Sequence, residues 1–161
     1  MSPTIFKPDT AANKMFVERS FDAPLELVWK AWTEPEILDQ WWAPKPWKAV
    51  TQSMDFREGG TWFYYMQGPE GERHYCRADY KNIVPQRSYT GLDAFCDENG
   101  KINEDFPRMT WLVEFSSEKT STKVNVTISF PSAADMNKII EMGFKEGFSM
   151  AHDNLDELLK K

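Results

Sequence analysis

The stretch WLVEFSSEKTSTKVNVTISF, residues 111–130, decides the fold because its two faces separate cleanly. With Phe115 and Thr122 on either side of a turn, Trp111, Val113 and Phe115 share a face with Val124, Val126 and Ile128. The opposite face holds Leu112, Glu114, Lys123 and Asn125, with Glu114 facing Lys123 directly or diagonally. One dry and one wet face is the pattern of an antiparallel sheet covered on a single side. The following residues, PSAADMNKIIEMGFKEGFSMAHDNLDELL at 131–159, change period. Ser132 and Asp135 form a capping box with Asp in the acidic position. Met136, Ile140, Phe144, Phe148, Ala151, Leu155 and Leu158 then step by three or four along one long helix. Such a stripe must cover a wide apolar surface, and the dry face of the sheet is the candidate.

Upstream, the same arithmetic extends the sheet. Met15–Phe21 reads as a first strand by β-propensity. Asp22-Ala23-Pro24 ends it and opens a short helix carrying Leu25, Val28, Trp29 and Trp32. A second short helix follows with Ile37, Leu38, Trp41 and Trp42, capped by Thr33, with Pro35 in its opening turn. Ala43-Pro44-Lys45-Pro46 stops it. Six strands then run over 48–54, 60–67, 73–84, 87–96, 107–115 and 122–130. The links Gly68-Pro69-Glu70-Gly71 and Glu98-Asn99-Gly100 are too short for parallel crossovers, so the strands form antiparallel meanders. A turn at Pro85-Gln86 aligns His74, Cys76, Ala78 and Tyr80 with Asp97, Phe95, Asp93 and Gly91, and a bulge would exchange the faces. Residues 1–13 show no period and read as a loose leader before a single domain at 14–161.

A chain of 161 residues has room for one core, and 41% hydrophobic with 27% charged residues marks it as globular. A net charge of −6 argues against nucleic acid or anionic membrane as a partner. No apolar run approaches the ~18 residues of a membrane span. The start lacks the apolar segment of a secretory signal, and two cysteines, Cys76 and Cys96, make no disulfide scaffold, so a reducing cytoplasm is the expectation. The unusual quantity is 7 Trp, 5 Tyr and 11 Phe. Each aromatic buries ~150–250 Å². That exceeds what a core of this size needs, so the surplus rings either face a partner or line a cavity.

The element order gives an α+β helix-grip: a curved antiparallel sheet of about seven strands wrapped around a long C-terminal helix, with two short helices after the first strand. At this point the chain resembles the START-like (SRPBCC) superfamily. Within it, the chain is similar to the bacterial family homologous to the C-terminal domain of the heat-shock protein 90 ATPase activator. The residues that carry the likeness are Phe21-Asp22-Ala23-Pro24 with Val28-Trp29, Ala31-Trp32-Thr33-Glu34-Pro35, Trp41-Trp42-Ala43-Pro44, Asp55-Phe56-Arg57-Glu58-Gly59-Gly60, Val84-Pro85, and Gly147-Phe148 before Leu155. Ala43 stands where the family usually has Gly, and Phe148 where Trp is common. The resemblance implies a domain that binds hydrophobic small molecules or a protein partner, a place in the stress response, and only a minority of enzymes.

The candidate ligand wall begins with Trp62, Tyr64 and Met66, one face of a strand that the family likeness turns inward; Thr61, Phe63 and Tyr65 would also make a dry face. With Tyr80, Phe95, Trp111, Phe144 and Phe148 they form an aromatic shell able to stack on a guest, with Met adapting to its shape; ordinary core packing is the alternative. Asp93, among apolar neighbours, either faces inward to orient a polar ligand group or act as a base, or faces outward as a solvated residue. His152 lies at the edge of the helix stripe, as a ligand donor or as a satisfied boundary residue. Trp41, Trp42 and Trp47 surround the Pro44–Pro46 segment, as a lid over the cavity mouth or as a protein-contact patch.

Other motifs yield less. His74-x-Cys76 offers two donors, but Cys96 and His152 are too scattered to announce a metal site, and neither metal nor cofactor is expected. Gly59-Gly60 lacks the Lys-Ser/Thr and helix of a phosphate loop and reads as a bend. Gly143 and Gly147 read as spacers that let the helix backbone approach the sheet or a ligand. The leading expectation is a non-enzymatic module binding a hydrophobic or aromatic small molecule between helix and sheet. A protein-interaction domain of the chaperone-activator kind is the alternative. A cyclase or hydrolase using Asp93 and His152 as acid and base is the third reading.

Overall fold

The computed structural model describes residues 3–160. Met1 and Ser2 of the expected leader, and Lys161 at the expected end of the domain, lie outside the described residues. The elements run β1 (Ile5–Asp9), β2 (Lys14–Phe21), α1 (Leu25–Thr33), α2 (Pro35–Trp41), β3 (Lys48–Met54), β4 (Thr61–Gln67), β5 (Arg73–Val84), β6 (Ser88–Cys96), β7 (Thr110–Glu118), β8 (Ser121–Ser129), α3 (Ala133–Glu141) and α4 (Phe144–Leu159). All eight strands form one curved, open antiparallel sheet in the order β1-β2-β8-β7-β6-β5-β4-β3. Among the described residues, no helix is long and apolar enough to cross a membrane.

The 111–130 hairpin pairs as its alternation dictates: Trp111 with Ile128, Val113 with Val126, and Phe115 with Val124. Glu114 lies opposite Asn125 and therefore diagonal to Lys123. Lys123 instead reaches Glu18 and Glu118, at 3.6 and 3.8 Å. The β5–β6 hairpin also keeps the register of a turn at Pro85-Gln86, with Tyr80 opposite Gly91, Ala78 opposite Asp93 and Cys76 opposite Phe95. An irregularity does occur between Lys81 and Val84, where Asn82 has φ +54°. It lies between the turn and the body of the hairpin, so Asp93 keeps the face of Cys76 and Tyr80.

Four local expectations are corrected. Residues 5–9 are not periodless leader but an edge strand, with Ile5 opposite Glu18 and Asp9 opposite Lys14; this is the strand beyond the seven expected. The first helix begins at Leu25, with Pro24 in the extended N-cap position. Thr33 does not cap the second helix. Glu34 holds that position, and the Thr33 hydroxyl donates back to the Trp29 carbonyl at 2.8 Å. The C-terminal helix is two helices, broken at Gly143, whose φ of +91° disfavours any residue with a Cβ. Gly143 is thus a joint rather than a spacer. At the other end of α3, Ser132 caps the helix as expected, its hydroxyl accepting from the Asp135 amide at 3.1 Å, which is one of the two bonds of a capping box.

The Gly59-Gly60 bend has a structural purpose. Gly59 sits at φ +77°, and a Cβ on Gly60 would run into the Asp55 carbonyl oxygen. This close turn lets the Gly59 amide donate to the Tyr80 carbonyl, and the Tyr80 amide to the Gly60 carbonyl, each at 2.9 Å. Tyr80 is thereby fixed on the concave side of the sheet.

Candidate functional site

Under α3 and α4 the sheet's concave face does not fill. A cavity of about 430 Å³ remains between them. Its floor follows from the registers. Across the sheet, Trp62 pairs with Ala78 and Ala78 with Asp93; Tyr64 pairs with Cys76 and Cys76 with Phe95; Tyr80 pairs with Gly91 and Gly91 with Trp111. Period two sends each of these rows to the same side, where Met66, His74, Tyr89 and Val113 join them. Ile139 of α3, Met142 and Gly143 at the joint, and Phe144, Gly147 and Phe148 of α4 form the roof, while Trp42, Pro44 and Trp47 complete the lining. A Cβ on Gly147 would meet Pro44 at 3.7 Å, ordinary contact. The expected spacer role there amounts to a snug but unforced approach.

The rings brace one another. Trp42 packs edge-on to Trp62 at 5.4 Å, Trp111 meets Phe148 at 5.4 Å, and Phe148 stacks on Phe144 at 5.3 Å. Trp62 stacks on Tyr64 at 3.9 Å. The Trp42 indole donates to the Tyr64 hydroxyl at 3.0 Å, and the Trp62 indole to the Thr51 hydroxyl at 3.0 Å. These bonds satisfy polar tips at the wall and fix the ring planes that a guest would meet.

Asp93 faces inward. One carboxylate oxygen accepts from the Met109 amide at 2.8 Å, the other from the Trp111 indole at 2.7 Å. Burial pushes its carboxyl up to about 6, against the opposing pull of those two bonds and of the Arg108 guanidinium. Arg108 itself is engaged elsewhere, donating to the Asp93 and Leu92 backbone carbonyls and to Asp79. Burial also pushes the Cys76 thiol up to about 12, which makes it an inert wall residue rather than a nucleophile.

Of the eleven expected wall residues, nine surround this cavity: Trp62, Tyr64, Met66, Tyr80, Asp93, Phe95, Trp111, Phe144 and Phe148. Trp41 and His152 do not. Trp41 is 0% exposed and turns the other way, its indole donating to the Ala31 carbonyl at 2.9 Å. It is neither lid nor contact patch. His152 is boxed by rings, with Phe148 at 4.1 Å and Phe21 and Trp32 at 5.7 Å. Its Nδ1 lies 3.0 Å from the Thr4 hydroxyl, to which Arg19 donates at 2.7 Å. Its Nε2 is buried and has no hydrogen-bond partner among the described residues. Burial, reinforced by the Arg19 charge, holds the imidazole down to about 3, so it stays neutral. An acid–base pair of Asp93 and His152 is not assembled.

Sequence reasoning missed Tyr89, Met109 and Val113 on the wall and Arg19 behind it. Tyr89 shares parity with Gly91 and Asp93, a signal that was available. Arg19 shares inward parity with Met15, Val17 and Phe21, and is 1% exposed. It is paired with Asp156 and Asp153, each at 3.1 Å. His74 and Cys76 both line the cavity, but among the described residues no group of three or more His, Cys, Asp or Glu converges as a metal would require.

The architecture has close relatives. The chain is similar to Ms6760 from Mycobacterium smegmatis, at 28% identity and a TM-score of 0.90, over 98% of this chain and 97% of that one. A protein from Arthrobacter aurescens, solved in solution by NMR, gives 28% identity and a TM-score of 0.91, over 97% of this chain and 91% of that one. NE0264 from Nitrosomonas europaea gives 29% and 0.81, over 93% and 96%. No curated protein matches the chain. Residues 22–160, from α1 through α4 with six of the eight strands, the roof helices and the cavity lining, match one family. That span and those neighbours agree with the motifs around Trp29, Trp42 and Gly60: the chain belongs to the family described as activator of Hsp90 ATPase homolog 1-like protein.

Proposed function

We propose that the protein is a non-enzymatic binding module that takes an apolar or aromatic small molecule into the cavity between α3–α4 and the sheet. One observation supports this most: rings from four strands, from α4 and from the segment after α2 surround about 430 Å³ of space instead of interlocking to fill it. That volume lies within the roughly 300–1,000 Å³ of small-molecule sites, and such sites are mostly apolar with a few polar groups. Affinity would come from stacking on Trp62, Trp111 and Phe148, and orientation from Asp93. Both cysteines are free, which suits the reducing cytoplasm we assign to it.

The test is a titration with N-phenyl-1-naphthylamine, a neutral aromatic probe whose emission rises in apolar surroundings. Saturable binding with a raised melting temperature is expected, and Ala78→Phe, which places a ring in the space, abolishes it while still melting cooperatively. Failure of this probe, and of a varied set of neutral aromatics and lipids, to bind or to stabilise the protein sinks the reading.

A second reading, a chaperone-activator-like interaction domain, draws on the family's description. Trp42 and Trp47 are only partly buried beside the cavity and would serve as its anchors. It predicts co-purification with a chaperone, lost on Trp42→Ala.

A further inference from the structure

The cavity carries one charge, and its sign is informative. Among the described lining residues Asp93 is the only carboxylate, and no lysine or arginine reaches the wall. We infer, resting on the small-molecule reading above, that the preferred guest is a cationic aromatic or amphiphile, with its protonated amine beside Asp93 and its apolar body among the rings.

Three features converge on this class. Asp93 has acceptor capacity to spare. A carboxylate offers about four lone-pair sites, and only two donors, the Met109 amide and the Trp111 indole, are taken up here. A buried carboxylate is costly unless paired, and burial outweighs its two hydrogen bonds and the pull of Arg108. A cation arriving from the cavity side supplies the missing partner. The surroundings favour the same sign: Trp62, Tyr64 and Trp111 line the same space, and aromatic rings attract ammonium groups. The opposite class is penalised twice. A fatty acid or other organic anion would bury a second negative charge near the first, and it would find no lysine or arginine on the described wall to receive it.

The observed bonds of Asp93 also hold the start of β7 against β6, so its role could be confined to positioning Met109 and Trp111. A structural role predicts no discrimination among guests by charge. That difference makes the test decisive.

Calorimetric titration of the wild-type protein at pH 7.5 uses three probes with one body: 1-naphthylmethylamine, 1-naphthalenemethanol and 1-naphthoic acid. The amine is expected to bind at least tenfold tighter than the alcohol, and the acid at least tenfold weaker. In Asp93→Asn the advantage of the amine over the alcohol should fall below threefold. Equal binding of all three probes, or an acid that matches the amine, overturns the inference and leaves the small-molecule reading standing. Binding by none of them overturns the inference, and the N-phenyl-1-naphthylamine titration then decides the small-molecule reading separately. An amine advantage that persists in a folded Asp93→Asn also overturns it, because the selectivity then lies elsewhere. If Asp93→Asn fails to melt cooperatively, the wild-type ranking of the three probes decides by itself.

Discussion

The interior divides into two aromatic halves built from the same residue types, one solid and one hollow. In the solid half Trp32 lies edge-on to Trp41 at 4.9 Å, to His152 at 5.7 Å and to Phe115 at 6.2 Å, with Met15, Phe21, Ile128 and Leu155 fully buried around it. In the hollow half Trp62, Tyr80, Trp111 and Phe144 lean on neighbours along the wall and leave the middle open. The difference lies in what covers the sheet. Over β7 and β8 lies α1 and over β2 lies α4, with the indoles of Trp32 and Trp41 fully buried between the helices. Over β4–β6 the cover is the α3–α4 joint, where Gly143 and Gly147 contribute no side chain. Ring content therefore does not make a receptor; the placement of the helices that bring the rings does.

The largest contrast expected between the halves is in stability. Trp32→Ala removes a side chain packed on every side and should cost about 3–5 kcal/mol. Met66→Ala, at the edge of the hollow, should cost less than about 1.5 kcal/mol, since the space beside it is already unfilled. Urea denaturation of both variants measures the difference, and equal losses would erase the distinction between the halves.

The solid half also encloses a charge cluster. Arg19→Met leaves Asp156 buried without its cation and should cost about 3–5 kcal/mol. Adding Asp156→Leu should restore most of that loss, because the pair then gives way to packed apolar groups. A double variant no more stable than the single one would mean that Asp156 is not the residue left stranded.

The halves should also respond to acid in opposite senses. In the hollow, folding raises the Asp93 carboxyl from its usual value near 4 to about 6, so the folded protein binds the extra proton. That contribution to stability is complete below pH ~4 and disappears as pH rises through about 6. In the solid half, folding holds His152 down to about 3 from near 6.5, so the unfolded chain binds the extra proton. Its contribution is complete above pH ~6.5 and disappears as pH falls toward about 3. Between pH 4 and 6 the two oppose. Asp93→Asn should therefore lose stability more steeply on acidification than wild type, and His152→Phe less steeply. Chemical denaturation at successive pH values measures both slopes.

Smaller effects than that of Trp32→Ala belong to the two glycines of the roof, and their signs differ. Gly143→Ala forces a Cβ into φ +91° and should cost about 1–3 kcal/mol. Gly147→Ala meets only Pro44, at ordinary contact distance, and should stabilise α4 by up to about 1 kcal/mol. Melting curves of the pair distinguish a joint from a helix position; like signs would contradict the break between α3 and α4.

Much of this was legible in the sequence. The 111–130 hairpin fixed a dry face, its register followed from the turn, and the element order named the architecture. Trp111, Phe144 and Phe148 followed from parity and helical spacing, whereas the inward face of Trp62, Tyr64 and Met66 rested on the family likeness, since Thr61, Phe63 and Tyr65 make an equally dry face. The misses share a cause. Trp41 and His152 lie on apolar helix faces as surely as Phe148 does, but helical period cannot tell which part of a stripe meets a neighbour and which roofs a void. Gly143 interrupts a stripe whose spacing runs on unbroken through it, so periodicity conceals the joint. β1 escaped because Pro8 and the polar residues of its edge position mask a strand held only by its pairing to β2. Asp93 was undecided because one bulge reverses a face, and only the coordinates place the irregularity beyond Lys81, on the turn side of the pairing that sets its direction.

The hollow itself is tested most directly by crystals of the ligand-free protein pressurised with xenon, which enters empty apolar cavities. Xenon density is expected in the space bounded by Trp62, Trp111 and Phe148, and none beside Trp32. A crystal in which the wall rings have closed on one another, leaving the hollow half without a xenon site, would contradict this expectation.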